Sequence, residues 1–329
     1  MQILVTGGVG FIGGHIAEAL LRDGHDVTVL DNLDRFYDLG IKAHTRRIHE
    51  EVATTGTGSY TFIEGDIRDE ELVHDLVVEA DAVYHQAARA GVRPSVEQPR
   101  LYHEVNVDGT LHVLDAARGT ELRRVVIASS SSVYGGREEY LPFSETDPAL
   151  PVSPYGASKL AGERYGMAYA TVYDLPVVAT RYFTVYGPRM RPNMAISNFV
   201  SRCFTGSSPV VYGDGSQTRD FTYIDDIVAA NIALLETDVA DGETLNLGSG
   251  DRIDILSLAQ TVRDTIAPDR EITFADRFEA DAEHTLADIT RANDLLGYEP
   301  SHSIRAGVEA FIGWYRGNRD WYEPLVLAS

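Results

Sequence analysis

Three residues near the middle of the chain have the types and spacing of a proton-transfer site. Tyr155 and Lys159 stand at i and i+4 in a segment with helical periodicity, so both side chains fall on one helical face. A free tyrosine titrates at about pH 10 and is a poor base at neutrality, but a neighbouring ammonium favours the phenolate. Ser130 belongs to a serine cluster that follows a buried strand. We therefore expect Tyr155 to act as a base, assisted by Lys159 and Ser130.

Lys159 is one of only two lysines in the chain. The other is Lys42, and every remaining basic residue, of 28 in all, is arginine. A sequence that has nearly abandoned lysine but keeps one at position 159 indicates that a compact ammonium is needed there. The alternative is a solvated lysine beside a surface tyrosine on an ordinary helix.

A glycine-rich turn near the start of the chain predicts a bound dinucleotide. The glycines, placed between a first strand and the helix after it, are Gly7, Gly10 and Gly13. Glycine permits the tight turn and the close approach of backbone to a pyrophosphate, and the amides of Phe11 and Ile12 face the phosphates. Asp31 ends the second strand, where a carboxylate accepts both adenosine ribose hydroxyls and repels the extra phosphate of NADP. The expected cofactor is NAD.

The elements that position these groups alternate along the first half of the chain. Strands are expected at 1–5, 26–30, 60–63, 82–85, 125–128 and 177–180, and helices at 15–23, 70–79, 101–118 and 154–173. This series predicts an α/β fold with a doubly wound parallel sheet of the Rossmann type. After Tyr182, glycine and proline interrupt the rhythm, which predicts a smaller α/β C-terminal substrate domain.

We expect the two domains to interleave. The NAD-binding domain covers 1–182 and about 220–250, and the substrate domain covers about 183–219 and 251–329. The polar stretch 35–58 is expected to form a mobile excursion from the first domain.

The composition excludes several classes of protein. The 329 residues include 50 acidic and 28 basic ones, for a formal charge of −22, so the chain does not wrap a nucleic-acid backbone. Apolar residues make up 44%, an ordinary globular share, and no run approaches the roughly 18 apolar residues of a membrane span. A first strand that begins at Met1 leaves no room for a signal peptide, so we expect a cytoplasmic protein.

Strong acidity with almost no lysine is typical of proteins from a high-salt cytoplasm. At about 1 M salt the Debye length is about 3 Å, so repulsion among surface carboxylates is largely screened. The alternative is an ordinary acidic protein from a GC-rich genome. The single cysteine, Cys203, cannot form an internal disulfide and lacks the neighbours of a metal site, so we expect a packed thiol and no metal.

The glycine motif, the Tyr155-x-x-x-Lys159 pair and Ser130 together resemble the extended short-chain dehydrogenase/reductase family, in particular its nucleotide-sugar epimerases, dehydratases and decarboxylases. The resemblance runs from residue 1 to about 298. It implies a Rossmann domain that holds NAD tightly, a smaller nucleotide-sugar domain, and homodimers formed through helices at 101–118 and 154–173.

The resemblance also assigns further cofactor contacts by position. It implies an adenine contact at Asp66 and Ile67, a buried asparagine near the nicotinamide side at Asn106, and a residue beside the nicotinamide at Phe183. The remaining cofactor contacts that it implies are Asn32 and the pyrophosphate-side loop Gln86, Ala87, Ala88 and Arg89.

The family divides by reaction at the two positions after Ser130. Dehydratases carry an Asp-Glu pair there, and decarboxylases that resemble this chain carry Glu at the second position, whereas this chain has Ser131 and Ser132. The resemblance therefore favours 4-epimerisation, which needs only a base and a hydride acceptor. Tyr155 would take the proton of the C4 hydroxyl while NAD+ takes the C4 hydride, with Ser130 steadying the oxygen.

Substrate choice rests on two segments, 88–95 and 181–195, which resemble the UDP-glucuronate 4-epimerases. Thr184 stands where UDP-glucose 4-epimerases usually have Asn, and Arg191 offers a planar guanidinium to the C6 carboxylate of a uronic acid. By the same resemblance, Arg219 clamps the diphosphate and Val211 and Tyr212 hold uracil. Ser130, Ser131, Ser132 and Tyr155 face the sugar.

The resemblance suggests Arg277 as a second diphosphate ligand, but the match is imperfect. The arginine of the family motif stands one position away, and the glycine of that motif is missing from this chain. An anionic substrate must approach an acidic protein, so we expect several arginines to converge on one positive pocket. They are Arg93, Arg189, Arg191 and Arg219.

Other functions stay open at this point. The first alternative is a UDP-glucose or UDP-N-acetylglucosamine 4-epimerase, followed by a UDP-glucuronate decarboxylase. The last is a non-catalytic NAD-binding sensor, against which the complete set of Ser130, Tyr155 and Lys159 argues.

Overall fold

In the computed structural model, which describes residues 1–277 and 282–327, helices and strands alternate through the first two thirds of the chain. The strands are β1 Gln2–Thr6, β2 Asp26–Asp31, β3 Tyr60–Glu64, β4 Ala82–His85, β5 Arg124–Ser130, β6 Val177–Tyr182, β7 Thr184–Tyr186, β8 Val210–Tyr212, β9 Thr218–Arg219, β10 Phe221–Tyr223, β11 Thr244–Leu247, β12 Ile253–Asp254 and β13 Thr273–Ala275. The helices are α1 Phe11–Arg22, α2 Leu39–Thr55, α3 Glu70–Val78, α4 Val92–Glu97, α5 Pro99–His103, α6 Gly109–Ala117, α7 Pro154–Tyr173, α8 Ala195–Phe204, α9 Ile224–Glu236, α10 Ile255–Ile266, α11 Thr290–Leu296 and α12 Ile304–Leu327.

A seven-stranded sheet in the order β11-β6-β5-β4-β1-β2-β3 forms the centre of the molecule. Every neighbouring pair in it is parallel. The strands β4, β5, β6 and β11 are buried along their whole length, as expected when helices cover both faces of a parallel sheet. The predicted doubly wound α/β fold is confirmed.

The order of this sheet reverses at β1, which pairs with β2 on one side and β4 on the other. In doubly wound sheets, ligands bind beyond the carboxyl ends of the strands at such a switch point. Gly7 follows β1 and Gln86 follows β4, so both stand at this crevice. Ser130 is the last residue of β5 and reaches the same edge.

The smaller strands form three separate pairs: β7 with β10, β8 with β13, and β9 with β12. Side chains of β7, β8 and β10 share a hydrophobic cluster with α8, α10 and α12. Although β11 comes late in the chain, it joins the large sheet beside β6. The division of the chain into the two predicted domains stays a prediction. Cys203 is buried on α8, as expected of a packed thiol.

The expected mobile excursion at 35–58 is wrong, because most of that stretch is the helix α2. The Asp38 carboxylate caps it by accepting the Gly40 amide at 2.7 Å, and Ile41 and Val52 are buried on one face. The same face contains polar residues, and His49 Nε2 bonds the carbonyl oxygen of Gly14 on α1 at 2.8 Å. Because the buried face of α2 contains polar residues, the helix is not visible in the hydropathy pattern of the sequence.

The single helix expected at 101–118 is interrupted. Between α5 and α6 the chain makes a π-helical turn at Glu104–Asp108. Such turns occur frequently at functional sites, since they reorient one side chain within a helix. Here the turn contains the buried Asn106.

Candidate active site

A cavity of about 1030 Å³ runs from the glycine turn after β1 to the small strand β8. Most of the predicted site residues line it, and their side chains or backbone come from both ends of the sequence. These residues are Gly7, Gly10, Phe11, Ile12, Gly13, Asp31, Asn32, Ile67, Gln86, Ala87, Ala88, Arg89, Arg93, Ser130, Ser131, Ser132, Tyr155, Lys159, Phe183, Thr184, Arg191, Tyr212, Arg219 and Arg277. Asp66, Asn106 and Val211 are not part of the wall.

The glycine turn forms a close backbone cradle. Gly7 has φ of +68°, and a Cβ there would lie 2.7 Å from the backbone of Ala87. A Cβ on Gly13 would lie 2.5 Å from the carbonyl oxygen of Gly7. Larger residues are therefore excluded at both positions. Gly10 precedes the first turn of α1, so the amides at the start of the helix point into the cavity end, where an anion is favoured.

Asp31 has a partner that the sequence did not indicate. Lys42 Nζ on α2 donates to Asp31 Oδ1 at 2.8 Å, and the two side chains are 8% and 4% exposed. The Leu33 amide donates to the same oxygen at 2.9 Å. The scarcity of lysine was the available signal, because it singles out Lys42 as much as Lys159.

Asp66 and Asn106 support the wall from behind. The Asp66 carboxylate accepts from Asn32 and from Arg68, each at 2.8 Å, and the Arg68 contacts lower its pKa to about 2. Asn106 accepts the Arg89 amide at 2.7 Å and donates to the Ser158 hydroxyl at 2.9 Å. It thereby ties the loop after β4 to the helix α7.

The three predicted acid–base residues meet at the carboxyl end of β5. Tyr155 and Lys159 lie in the first two turns of α7, whose N-terminus is capped by Ser153 Oγ accepting the Gly156 amide at 3.1 Å. The Ser130 hydroxyl lies close enough to the Tyr155 phenol to lower its pKa, and it accepts the Ser132 amide at 3.1 Å. The serine is thus oriented toward the phenol by its own backbone.

Burial dominates the electrostatics of this group. It raises the pKa of Tyr155, while the Ser130 hydrogen bond and the charge of Arg191 lower it. Burial also lowers the pKa of Lys159 from 10.5 to about 8. Desolvation of the phenolate thus outweighs the groups that lower the pKa of Tyr155, and Lys159 is not among those groups.

The sugar end of the cavity carries several arginines with different partners. Arg191 lies over the ring of Phe36, 5.5 Å from its centroid, and within the described residues it makes no ion pair with a carboxylate. Arg93 lies 4.7 Å from the ring centroid of Tyr212. Arg191 is also close enough to Tyr155 to lower its pKa.

Arg219 and Arg277 are both tied to the chain after position 281. Arg219 donates to the carbonyl oxygens of Ala282 and Glu283 at 2.6 and 3.1 Å, and Arg277 Nη1 pairs with Glu283 Oε1 at 3.0 Å. The rest of the displaced motif, 278–281, lies outside the described residues.

The expected convergence of four arginines is wrong for Arg189. It is buried away from the cavity, where its Nη2 pairs with Glu18 Oε2 of α1 at 2.5 Å. Arg93, Arg191 and Arg219 do line the cavity. Val211 is fully buried in the core beneath Tyr212, because alternate residues of a strand point to opposite faces.

No helix in 1–277 or 282–327 is both long and apolar enough to cross a membrane. The same part of the chain contains no group of three or more His, Cys, Asp or Glu residues placed to hold a metal ion.

The chain is similar to known proteins over nearly its whole length. Residues 4–311 match the family described as GDP-mannose 4,6 dehydratase. The chain is 36% identical over 328 residues to a UDP-glucuronate 4-epimerase of Thermodesulfobacterium geofontis, covering 98% of this chain and 99% of that one.

Two solved structures of relatives are also similar over almost their whole length. One is the UDP-glucuronic acid 4-epimerase of Bacillus cereus in complex with UDP-glucuronic acid and NAD, with 34% identity, a TM-score of 0.90, and coverage of 96% of this chain and 99% of that chain. The other is a UDP-N-acetylglucosamine 4-epimerase of Methanobrevibacter ruminantium in complex with UDP-N-acetylmuramic acid, with 33% identity, a TM-score of 0.86, and coverage of 96% and 98%.

Proposed function

We propose that this chain, which belongs to the GDP-mannose 4,6 dehydratase family, catalyses the NAD-dependent 4-epimerisation of UDP-glucuronate to UDP-galacturonate. The observation that carries the proposal is the state of Arg191. In a chain of net charge −22, this arginine lines the cavity near Tyr155 without a carboxylate partner among the described residues. An anionic group on the sugar would supply that partner.

The glycine cradle fits the diphosphate of NAD, because Cβ atoms at Gly7 and Gly13 would collide with the backbone of Ala87 and Gly7 and so prevent the tight turn that presents backbone amides to a pyrophosphate. Asp31 would hold the adenosine ribose, with Asn32, Ile67, the loop 86–89 and Phe183 around the rest of the cofactor. When bound, NAD would supply a reversible hydride acceptor for sugar C4.

The residues of the chain handle the proton. Tyr155 would accept the proton of the C4 hydroxyl as the C4–H bond breaks, and would return it to the new alkoxide after the sugar turns over in the cavity. Ser130 would hold the phenolate and the sugar oxygen through its hydroxyl. The ammonium of Lys159 would stabilise the phenolate, whose formation burial opposes.

A uronic acid can also lose CO2 at the 4-keto stage, and the site has to prevent this side reaction. In the 4-keto sugar the carbonyl lies β to the C6 carboxylate, so cleavage of the C5–C6 bond passes its electron pair to the C4 oxygen and releases CO2. This cleavage is fast only when the C5–C6 bond stands out of the carbonyl plane. By holding the carboxylate, Arg191 and Thr184 would keep the sugar ring in a conformation in which the C5–C6 bond stays near that plane.

The nucleotide would occupy the other end of the cavity. Arg219 and Arg277 line it beside the segment after position 281 and are proposed to bind the diphosphate, with Arg93 nearby. Tyr212 is 40% exposed and presents a ring on which uracil can stack. Val211 would act from the core beneath it, and Ser131 and Ser132 would face the sugar.

A second candidate substrate is UDP-N-acetylglucosamine, because the chain is similar to an epimerase of that sugar. The test is to incubate the NAD-loaded protein in molar salt with UDP-glucuronate, UDP-glucose and UDP-N-acetylglucosamine separately, and to follow the anomeric proton signals by NMR. We expect UDP-galacturonate to form fastest. Turnover of only the neutral sugars would reject the uronic acid, and no turnover of any sugar would favour the non-catalytic sensor.

Arg191→Ala extends this test to the carboxylate. We expect the variant to release CO2 and a 4-keto-pentose nucleotide, whereas Arg305→Ala, which removes an exposed arginine of α12, should leave the product unchanged. Epimerisation by Arg191→Ala without CO2 would show that another residue controls the carboxylate. CO2 release by the unaltered protein would favour the decarboxylase.

We further propose that the protein is a cytoplasmic homodimer of a high-salt cell. Tyr165, Val172 and Tyr173 are exposed apolar residues of α7, one of the two helices expected to pair. Sedimentation velocity in molar salt should give a dimer, and Val172→Glu should give a monomer. We also expect activity to rise with salt, because screening eases the approach of an anionic substrate.

A further inference from the structure

Two arginines of the cavity wall lie over the ring of Phe36. The guanidinium carbon of Arg89, in the loop after β4, is 5.0 Å from the centroid of its ring, and that of Arg191 is 5.5 Å away. Phe36 itself belongs to the loop between β2 and α2 and lines the cavity. A Cβ on Gly91 would lie 3.2 Å from the Phe36 ring, so the loop after β4 packs closely against it.

The loop that carries Phe36 is anchored on both sides of the ring. The Leu33 amide donates to Asp31 at 2.9 Å, and the Asp34 amide donates to the Asn32 side chain at 3.0 Å. On the other side, Tyr37 is buried in the core and Asp38 caps α2. The loop that carries the ring is therefore fixed at both ends, and it starts at Asp31, the acid proposed to bind the ribose.

The two arginines on the ring differ in their charge partners. Arg89 pairs with the Asp34 carboxylate, which offsets its charge. Arg191 has no such partner among the residues described. An arginine on an aromatic face is attracted by the ring quadrupole and keeps its N–H edge available for a carboxylate. The arrangement thus leaves one oriented positive charge directed at the sugar end.

We infer that Phe36 is a positioning residue that holds Arg191 in place for the sugar carboxylate and so determines selectivity for uronic acids. The inference rests on the proposed function. Because the same loop starts at Asp31, Phe36 also links the cofactor end of the cavity to the carboxylate end. The contrary reading is that the ring only fills space, and then its loss would affect all nucleotide sugars alike.

The experiment compares binding of UDP-glucuronate and UDP-glucose to the NAD-loaded protein by titration calorimetry. The variants are Phe36→Leu, which removes the ring, and Phe36→Tyr, which keeps it. Phe62→Leu is the matched control, since Phe62 also lies beneath an arginine, Arg46, at 4.4 Å but outside the cavity. The CO2 released per epimerisation is measured in parallel.

For Phe36→Leu we expect about five-fold weaker binding of UDP-glucuronate, in the range of a partly desolvated cation–π contact, and less than two-fold weaker binding of UDP-glucose. We also expect more CO2 per turnover, and recovery of both values in Phe36→Tyr. Equal weakening for both sugars, or a similar change in Phe62→Leu, would overturn the inference. If the unaltered protein binds UDP-glucose as tightly as UDP-glucuronate, the proposed function fails first, and the inference fails with it.

Discussion

Arg181 and Glu163 form a two-point ion pair in the interior, with Nε–Oε2 at 2.9 Å and Nη2–Oε1 at 2.6 Å. Their side chains are 1% and 0% exposed. Glu163 stands one turn beyond Lys159 on α7 and also accepts the Ser129 hydroxyl at 2.7 Å. The pair therefore joins α7 to the ends of β5 and β6, and it sets the distance between Ser130 and the helix that carries Tyr155.

Glu163→Gln should be strongly destabilising. It leaves the Arg181 charge buried and only partly compensated, which typically costs about 3–5 kcal/mol in the free energy of unfolding. Urea denaturation in molar salt measures this loss, and the double variant Glu163→Leu with Arg181→Met should regain much of it. As a control, Glu309→Ala breaks an exposed pair with Arg305 and should cost less than about 1 kcal/mol. Similar losses in the two single variants would contradict the argument.

Ser130→Ala should move the acid limb of the rate profile to higher pH. The Ser130 hydrogen bond lowers the pKa of Tyr155, so its removal raises that pKa. Tyr155 acts as a base only when it is deprotonated. Because its pKa is higher in the variant, a higher pH is needed to reach the same rate. A hydrogen bond to a charged group of about 1.5–3 kcal/mol corresponds to about 1–2 pH units.

The measurement for Ser130 is kcat against pH with UDP-glucuronate. Ser131→Ala is the comparison, because Ser131 lines the cavity but does not contribute to the Tyr155 pKa shift. A limb that stays in place in Ser130→Ala, or moves equally in both variants, would exclude the hydrogen bond as the cause.

Lys159→Met should stabilise the protein at neutral pH while abolishing turnover. Burial lowers the pKa of Lys159 from 10.5 to about 8, so below pH 8 the folded state carries a buried charge that the unfolded state solvates. Between pH 8 and 10.5 the unfolded chain binds more protons than the folded one, and the stability of the unaltered protein rises with pH. The methionine variant lacks this rise.

We expect the lysine-to-methionine gain at pH 7 to reach up to about 3 kcal/mol and to disappear by about pH 10.5. Thermal or urea unfolding at matched NAD concentration tests it, since bound cofactor adds its own stability. A difference between the two proteins that does not change with pH would refute the assignment of a buried ammonium.

Lys42→Met should separate stability from cofactor binding. Alone it leaves Asp31 buried without its partner, and we expect a loss of about 3–5 kcal/mol together with loss of bound NAD. The double variant with Asp31→Asn removes the stranded charge, so stability should recover while NAD retention does not. Retention of NAD in the double variant, measured by cofactor release on denaturation, would show that Asp31 does not bind it.

The sequence sufficed for the fold because its signals are local. Buried parallel strands appear as short β-branched runs, and the glycine turn between β1 and α1 has its own spacing. The predicted α/β fold and the resemblance to the extended short-chain dehydrogenase/reductase family are confirmed. Most of the proposed site residues also line one cavity, since they follow the carboxyl ends of neighbouring strands.

The rest depends on pairing between distant residues, which has no local pattern. Nothing near Arg189 in the sequence indicates that Glu18 withdraws it from the cavity. The contact of Lys42 with Asp31 requires α2, whose buried face contains polar residues and hides its periodicity. Phe36 contacts Arg89 and Arg191 only because folding brings three distant loops together.

The burial of both lysines has a practical consequence for chemistry on this protein. Lys42 and Lys159 are 7% and 8% exposed, and both line the same cavity. The outer surface therefore offers no lysine amine to acylating reagents, to cross-linkers or to enzymes that modify lysine. Acylation of either lysine would therefore show that the reagent had entered the cavity. A ligand that fills the cavity should protect both lysines from acylation.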